Sequence, residues 1–314
     1  MATRDIIIDC DPGQDDAVAL LLALANPDTL NVLGVTTVAG NVPITLTYLN
    51  GRKVVELSGR TDVPVFRGCP RPLVGELITA EEVHGATGLD GTDLPDPTLP
   101  EHHQHAVDFI VETLRAADYD SVTLVPVGPA TNLATAFAMA PEILPKIREI
   151  VVMGGAYWEG GNTSPVAEFN VLVDPEAAKA MFACGRPLTV LSLDVTHKAL
   201  STKARREAIA KVGTRSAGQV YAMLNFYNRY DSTKYGMDGG PVHDACTIAY
   251  LLKPELFEAK HVHVDVECAG RLTRGQTVVD WWGVTGKHPN AHWVHKVDDD
   301  GFFQLINEAL AKLP

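Results

Sequence analysis

"IIIDCDPGQDDAVALLLALA", residues 6–25, places four carboxylates (Asp9, Asp11, Asp15 and Asp16) where a buried strand turns into a helix. Ile6 to Ile8 read as a strand inside a sheet, and the Ala/Leu-rich stretch 14–25 reads as a helix stopped by Asn26-Pro27. No Lys or Arg falls within the stretch, and the nearest upstream cation, Arg4, precedes the apolar run. Crowded carboxylates repel and raise one another's pKa unless a positive charge compensates them. Helix capping accounts for one or two acids at such a junction, not for a third and fourth. The segment therefore asks for a cation from outside the chain. Oxygen donors without His or Cys suit a hard ion such as Ca²⁺, which takes about 6–8 oxygens. The spacing is not that of an EF-hand, so further ligands must come from distant sequence. "PVHDACTIAYLL" (241–252) sets His243 and Asp244 at a helix start; Asp244 alone would read as a cap, but beside the acidic cluster it is a candidate fourth carboxylate.

Working outward, strands and helices alternate. After 5–9 and 14–25 come a strand at 30–38, a helix over 43–58 with Pro43 in its first turn, and a short strand at 63–66. A long Gly/Pro/His-bearing loop, 67–101, precedes a helix at 102–117, a strand at 121–127 and a helix opened by "GPATNLATAFAMAP". The second half repeats the rhythm, with strands at 149–156 and 188–196 and helices at 174–185, 202–212 and 215–230, then another after Asp244. Two strand-like stretches, 261–268 and 277–283, and a helix at 301–313 close the chain. This alternation predicts an α/β fold: an open, mostly parallel sheet with helices on both faces, Rossmann-like, as one domain over 1–314. In such sheets ligands sit beyond the carboxyl ends of the strands. The acidic cluster, Ala39–Asn41, Val127–Asn132, Gly154–Asn170 and Asp194–Lys198 all fall on that edge.

Composition narrows the classes. The 314 residues are 46% hydrophobic, ordinary for a globular protein, and carry a formal net charge of −13, which argues against binding nucleic acid backbone. Five scattered cysteines without a C-x-x-C pair point to reduced thiols in a cytoplasmic protein rather than a disulfide framework or zinc site. A strand begins within a few residues of Met1, so no signal peptide is expected, and no apolar run approaches the roughly 20 residues that span a bilayer. Asn41, and Asn162, Glu168 and Asn170 within "GNTSPVAEFNVLVDPEA", would ordinarily be solvated loop residues; at this edge they are the groups that grip sugar hydroxyls.

"DCDPGQDDAVALLLAL" resembles the N-terminal signature of the nucleoside hydrolases, specifically the inosine–uridine-preferring ribohydrolases. "VAGN", "HGATGLDG", "LVPVGPATNLA", "VVMGGA", "AEFNVLVDPEAA", "PVHDA" and "TRGQTVVD" resemble further family segments in the same order, covering residues 5 to 310. The resemblance implies the nucleoside hydrolase fold and hydrolysis of the N-ribosidic bond of purine or pyrimidine nucleosides, giving ribose and free base for salvage. It implies one Ca²⁺ per subunit, bound by Asp11, Asp15, Asp16, Asp244 and the Val127 carbonyl, in a position where some members have Thr. It places Asp15, Asn41, Asn162, Glu168 and Asn170 on the ribose hydroxyls, Met153 near the sugar, and His84 and His243 toward the base. It also implies a homodimer or homotetramer.

Cleavage of such a bond passes through an oxocarbenium-like state. Asp11 is the expected base toward water, and His243 the expected donor to the departing base, on the ground that a histidine titrates near neutrality. Tyr227, Tyr230 and Tyr235 are candidates for covering the base. Two rival readings stay open on the sequence. A metal-dependent phosphohydrolase would want a cation for phosphate, and Lys198 is the one basic residue near the strand edge. A non-catalytic Ca²⁺-dependent ribose or nucleoside binder would not need a base at Asp11. Base preference is open between purine and pyrimidine.

Overall fold

The computed structural model describes residues 3–234 and 236–314, with the backbone alone of Asp231. Strand β1 (Arg4–Cys10) alternates between two apolar clusters: Ile6, Ile8 and Cys10 pack on one face, Ile7 on the other. Burial on both faces is why this strand carries an unbroken Ile run. The helix that follows, α1 (Gln14–Leu24), is buried along all of its 11 residues. It lies between the sheet and the helices Ala245–Leu252, Arg215–Lys234 and Asp299–Leu310, which explains a sequence apolar on every side rather than striped. The opposite face is covered by the helices Ala106–Ala116, Thr131–Met139 and Pro175–Phe182.

The remaining strands are β2 (Leu30–Thr37), β3 (Val65–Arg67), β4 (Val122–Pro126), β5 (Ile147–Met153), β6 (Leu188–Leu191), β7 (Leu200–Ser201), β8 (Gly240–Pro241), β9 (Phe257–Val266), β10 (Thr277–Asp280) and β11 (Ala291–Val297). Among the described residues nine of the eleven strands, β1 included, form one sheet in the order β10-β9-β11-β6-β5-β4-β1-β2-β3, while β7 and β8 pair separately. β1 to β6 pair in parallel, β11 joins β6 in parallel, and within this sheet antiparallel pairing enters with β9 and β10; β7 and β8 pair antiparallel. This is the open, mostly parallel α/β sheet the alternation predicts. The chain builds outward from β1 to β3 on one side and from β4 to β6 on the other, so the strand order reverses between β1 and β4. A crevice opens beyond the carboxyl ends of strands at such a reversal, and Asp11 follows β1 there while Val127 follows β4.

Several local expectations change. β11 was not anticipated: "AHWVHKV" carries two His and a Lys that mask its alternation, yet Trp293 is fully buried and the strand links the antiparallel edge to β6. The strand expected over 188–196 ends at Leu191, and Leu193–Thr196 turns into a short helix anchored by Asp194. Asp194 accepts the backbone N–H groups of Tyr157, Trp158 and Glu159 and the Trp293 indole N–H (2.8 Å). Pro43 is the residue before the helix α2 (Ile44–Leu57), not within its first turn. The 67–101 loop contains a short helix, α3 (Glu81–His84), which brings His84 inward.

Candidate active site

The β1–α1 junction is held by its own acids. Asp16 reaches back to the N–H of Gly13 (2.9 Å) and of Asp11 (3.2 Å) and accepts the Asn41 amide (3.2 Å), so part of the cluster is helix capping, as its simplest reading has it. Asp9 leaves the cluster: its Oδ1 accepts Thr36 (2.5 Å) and Asn132 (2.8 Å), and burial lifts its pKa to about 7 against those two hydrogen bonds. In its place the fold brings Asp244. Oxygens of Asp15, Asp16 and Asp244 lie within 4.8 Å of one another, all three residues buried. Burial, then Asp15, Asp16 and Asp11, push the Asp244 carboxyl well above its ordinary value. Burial raises Asp16 to about 6.

Asp11 stands beside this triad rather than within it. Its Oδ2 accepts the Asn41 backbone N–H (2.7 Å), and burial followed by the Asp16 charge drives its pKa up. Glycine is required on both flanks: a Cβ on Gly40 would lie 2.0 Å from Asp11 Oδ2, and one on Gly128 2.5 Å from Oδ1. "VAGN" and "VGP" are thus the cradle of one carboxylate. Arg4, the nearest cation in sequence, is spent on Glu149 at the far end of β1 (2.5 Å). Three buried acids with raised pKa values, all-oxygen donors and the Val127 carbonyl close by fit a hard divalent ion.

Asp11, Asp15, Asn41, His84, Val127, Met153, Asn162, Glu168, Asn170, His243 and Asp244 line one pocket; Asp16 lies behind its wall. The Asn170 amide donates to Val127 O (2.8 Å) and Met153 O (3.3 Å), tying the 161–170 loop across the ends of β4 and β5. Asn162 Oδ1 accepts the Phe169 N–H (3.0 Å). Glu168 caps the helix Phe169–Val173: its two oxygens accept the N–H groups of Asn170 (2.8 Å), Gly155 (2.9 Å) and Val171 (3.2 Å). Burial nevertheless raises its pKa to about 7.

Two buried imidazoles, His243 and His84, share the pocket with these acids. His243 Nδ1 lies 2.7 Å from the Thr196 hydroxyl. The expectation that it titrates near neutrality is corrected: burial, then His197 and His84, hold its pKa well below 6.5. Burial likewise takes His84 down to about 3. Tyr227 packs beside His84, ring centroids 5.5 Å apart, and Tyr230 also lines the pocket; Tyr235 lies outside the described residues. The sequence reading passed over His197, whose ring lies 5.6 Å from His243 and whose Nδ1 faces Glu159 (3.2 Å). It stands in the flagged 194–198 segment, so the strand-edge rule was the available signal. Ile78, in a loop, and Val83, in α3, are isolated apolar residues and gave none. Lys198, the cation a phosphate reading would need, donates instead to His295 O (2.6 Å).

The sequence model of the inosine-uridine preferring nucleoside hydrolases matches residues 6–304. The chain belongs to that family. It is a ribonucleoside hydrolase, an enzyme that cleaves the N-glycosidic bond of ribonucleosides, and its family is metal-dependent. The hydrolase is 47% identical over 309 residues to the pyrimidine-specific ribonucleoside hydrolase RihA of Shewanella baltica, covering 98% of this chain and 96% of the relative. It is 45% identical over 310 residues to an uncharacterized protein of Schizosaccharomyces pombe, covering 98% and 99%. Among solved structures, the plant nucleoside hydrolase PpNRh1 superposes with a TM-score of 0.89 at 32% identity, covering 98% of this chain and 99% of that one. The purine-preferring ribonucleoside hydrolase of Gardnerella vaginalis gives a TM-score of 0.90 at 29% identity, covering 98% of each.

Proposed function

We propose that this hydrolase is Ca²⁺-dependent, with pyrimidine ribonucleosides as preferred substrates and a role in nucleoside salvage in the cytoplasm. The observation that carries the reading is the make-up of one pocket: buried carboxylates at the strand-order reversal and the buried imidazoles of His84 and His243 line the same cavity. Asp15, Asp16, Asp244 and the Val127 carbonyl hold one Ca²⁺, with Asp11 alongside. When bound, Ca²⁺ acidifies water and grips vicinal hydroxyls.

The chain's own groups do the rest. Asp11 takes the proton of the attacking water at Oδ1, because Oδ2 is held by Asn41 N–H. Asp15, Asn41, Asn162 and Asn170 orient the ribose, and Met153 packs on it. Glu168, fixed by three N–H donors, adds negative potential toward the ring as positive charge develops. His243 stabilises the departing base as a neutral N–H donor, since burial keeps the imidazolium form from being populated. His84 lies at the base end.

The pyrimidine preference is supported by relatives at 45–47% identity that carry that specificity, against purine-preferring structural neighbours at lower identity. One domain over 1–314 is supported by a sheet that takes strands from both halves of the chain. Homodimer or homotetramer formation is supported by apolar side chains left exposed near the β10 edge, including Trp282 at 80% and Val284 at 84%; light scattering checks it. The deciding experiment incubates the protein with uridine, cytidine, inosine and the corresponding 5′-monophosphates, in Ca²⁺ and in chelator. Free base from the nucleosides in Ca²⁺ alone, fastest from uridine or cytidine, is expected. Undiminished turnover in chelator would remove the Ca²⁺ reading, and inosine as the fastest substrate the pyrimidine one.

A further inference from the structure

Gln14 sits inside α1's first turn and is fully buried, an expensive place for a primary amide unless every polar atom is used. Its Nε2 lies 2.9 Å from His84 O and 3.1 Å from Asp90 O. Both partners are carbonyls, which only accept, so this end of the side chain must be the NH₂ group. The other end is then the acceptor Oε1, and it lies 2.7 Å from His84 Nδ1. An oxygen that can only accept requires that ring nitrogen to carry the hydrogen. A neutral imidazole has one N–H, so the proton on Nδ1 leaves Nε2 bare.

From this we infer that Gln14 is a positioning residue that locks His84 in its Nδ1–H tautomer, so that the imidazole presents a hydrogen-bond acceptor, and no donor, to the base end of the pocket. The inference deepens the proposed function and rests on its placing of His84 beside the base. The burial of His84 supports it, because a ring with no second proton offers no conflict to the lock. Geometry fixes the ring face as well. A Cβ at Gly13 would lie 2.3 Å from His84 Nδ1 and 2.7 Å from Cε1, so the Nδ1–Cε1 edge of the imidazole is seated on the β1–α1 turn, while the residue also lines the pocket. Tyr227 lies on the ring's flank. The ligand chemistry that follows is a nucleobase edge carrying an N–H, which an acceptor at Nε2 can take. A nitrophenyl aglycone carries none. His84 is thereby excluded as a proton source for the leaving group, since its one hydrogen is turned away from the pocket.

The same amide also pins the loop. Gln14 grips the backbone at His84 and Asp90, and Asn50 bridges Pro12 O (3.1 Å) and Thr87 O (2.8 Å). A test must therefore separate the tautomer from simple loop support. The first measurement uses the wild-type, Ca²⁺-loaded protein labelled with ¹⁵N-histidine, with long-range ¹H–¹⁵N correlation at pH 7 and the His84 signals assigned by their loss in His84→Asn. A pyrrole-type shift for Nδ1 and a pyridine-type shift for Nε2 are expected. The proton on Nε2, or an imidazolium pattern, overturns the inference while leaving the base-end placement of His84 untouched.

The second measurement compares Gln14→Leu with wild type on uridine and on 4-nitrophenyl riboside. Loss of one oriented hydrogen bond predicts that KM for uridine rises about three- to tenfold more than KM for the nitrophenyl substrate. Equal changes on the two substrates would mean that Gln14 supports the loop alone, and would overturn both the lock's function and the placing of His84 at the base.

Discussion

The carboxylate end of the pocket draws on two stretches of chain, 11–16 and Asp244, and every acid in it is at most 4% exposed. The imidazole end draws on α3, the Leu193–Thr196 helix with His197 after it, the helix Arg215–Lys234 and His243, and it includes side chains as exposed as Ile78 at 41%. One end is acidic, dry and tightly bonded to backbone; the other sets buried imidazoles beside the exposed Glu82 and Lys234 and is assembled from loops and helix ends. The contrast assigns them different tasks. Groups that must hold an ion and move a proton need low dielectric and fixed positions, whereas a surface that accommodates a variable base can combine buried imidazoles with more open side chains.

The sharpest way to break this comparison is Asp11→Asn. It keeps the size of the side chain and leaves the Asn41 contact an acceptor, so the fold is expected to stay intact by circular dichroism while kcat falls about 10²–10⁴-fold. Near-normal turnover would move the base elsewhere. His243→Ala comes next. Inosine or uridine hydrolysis is expected to drop about 10²-fold, with a far smaller loss on 4-nitrophenyl riboside, whose aglycone leaves without assistance. Parallel losses on both substrates would show that His243 supports the carboxylate end instead.

Asp244→Asn probes the electrostatics. In chelator Asp244 is buried against Asp15, Asp16 and Asp11, which with burial raise its pKa, so removing its charge is expected to raise Tm by about 2–5 °C at pH 8, while the gain in Tm on adding Ca²⁺ shrinks. A variant that melts lower than wild type without the ion would mean that Asp244 is satisfied within the protein. The smallest effect concerns Glu168, whose carboxyl titrates near 7 in the fold against 4.5 unperturbed. Between those values the folded state holds the proton and the unfolded state does not, so this residue's contribution to stability is present below about pH 4.5 and is lost as pH rises toward 7. The stability of wild type minus that of Glu168→Gln is therefore expected to fall over that window and level off above it, by at most a few kcal/mol. A difference independent of pH would show that Glu168 is ionised throughout.

These two ends also differ in how far they could be read from residues. Asp11, Asp15 and Asp16 violate a local rule, charge at the end of a buried strand, and a violation is visible in one dimension. The glycines that cradle Asp11 carry the same visibility, because the segments around them resemble a family. The strand-edge rule reached as far as 194–198 but did not pick out His197, since a histidine after a strand breaks no rule. β11 escaped because its His and Lys positions diluted the alternation, although Ala291, Trp293 and Val294 were there to be counted. His243 was found for its neighbour Asp244, and the reason given for its chemistry was wrong: titration near neutrality holds in water, and this ring is not in water.

The sequence by itself determined the alternation of elements, the parallel sheet and the need for a cation beside Asp11, because periodicity and charge balance are properties of neighbours along the chain. Only the tertiary structure decided that Asp9 turns away from the cluster, that His243 and His84 are held neutral, and that Gln14 meets His84, 70 positions further along the chain. Each of those depends on which groups are excluded from water together, and burial is a property of the packed molecule rather than of any segment of it.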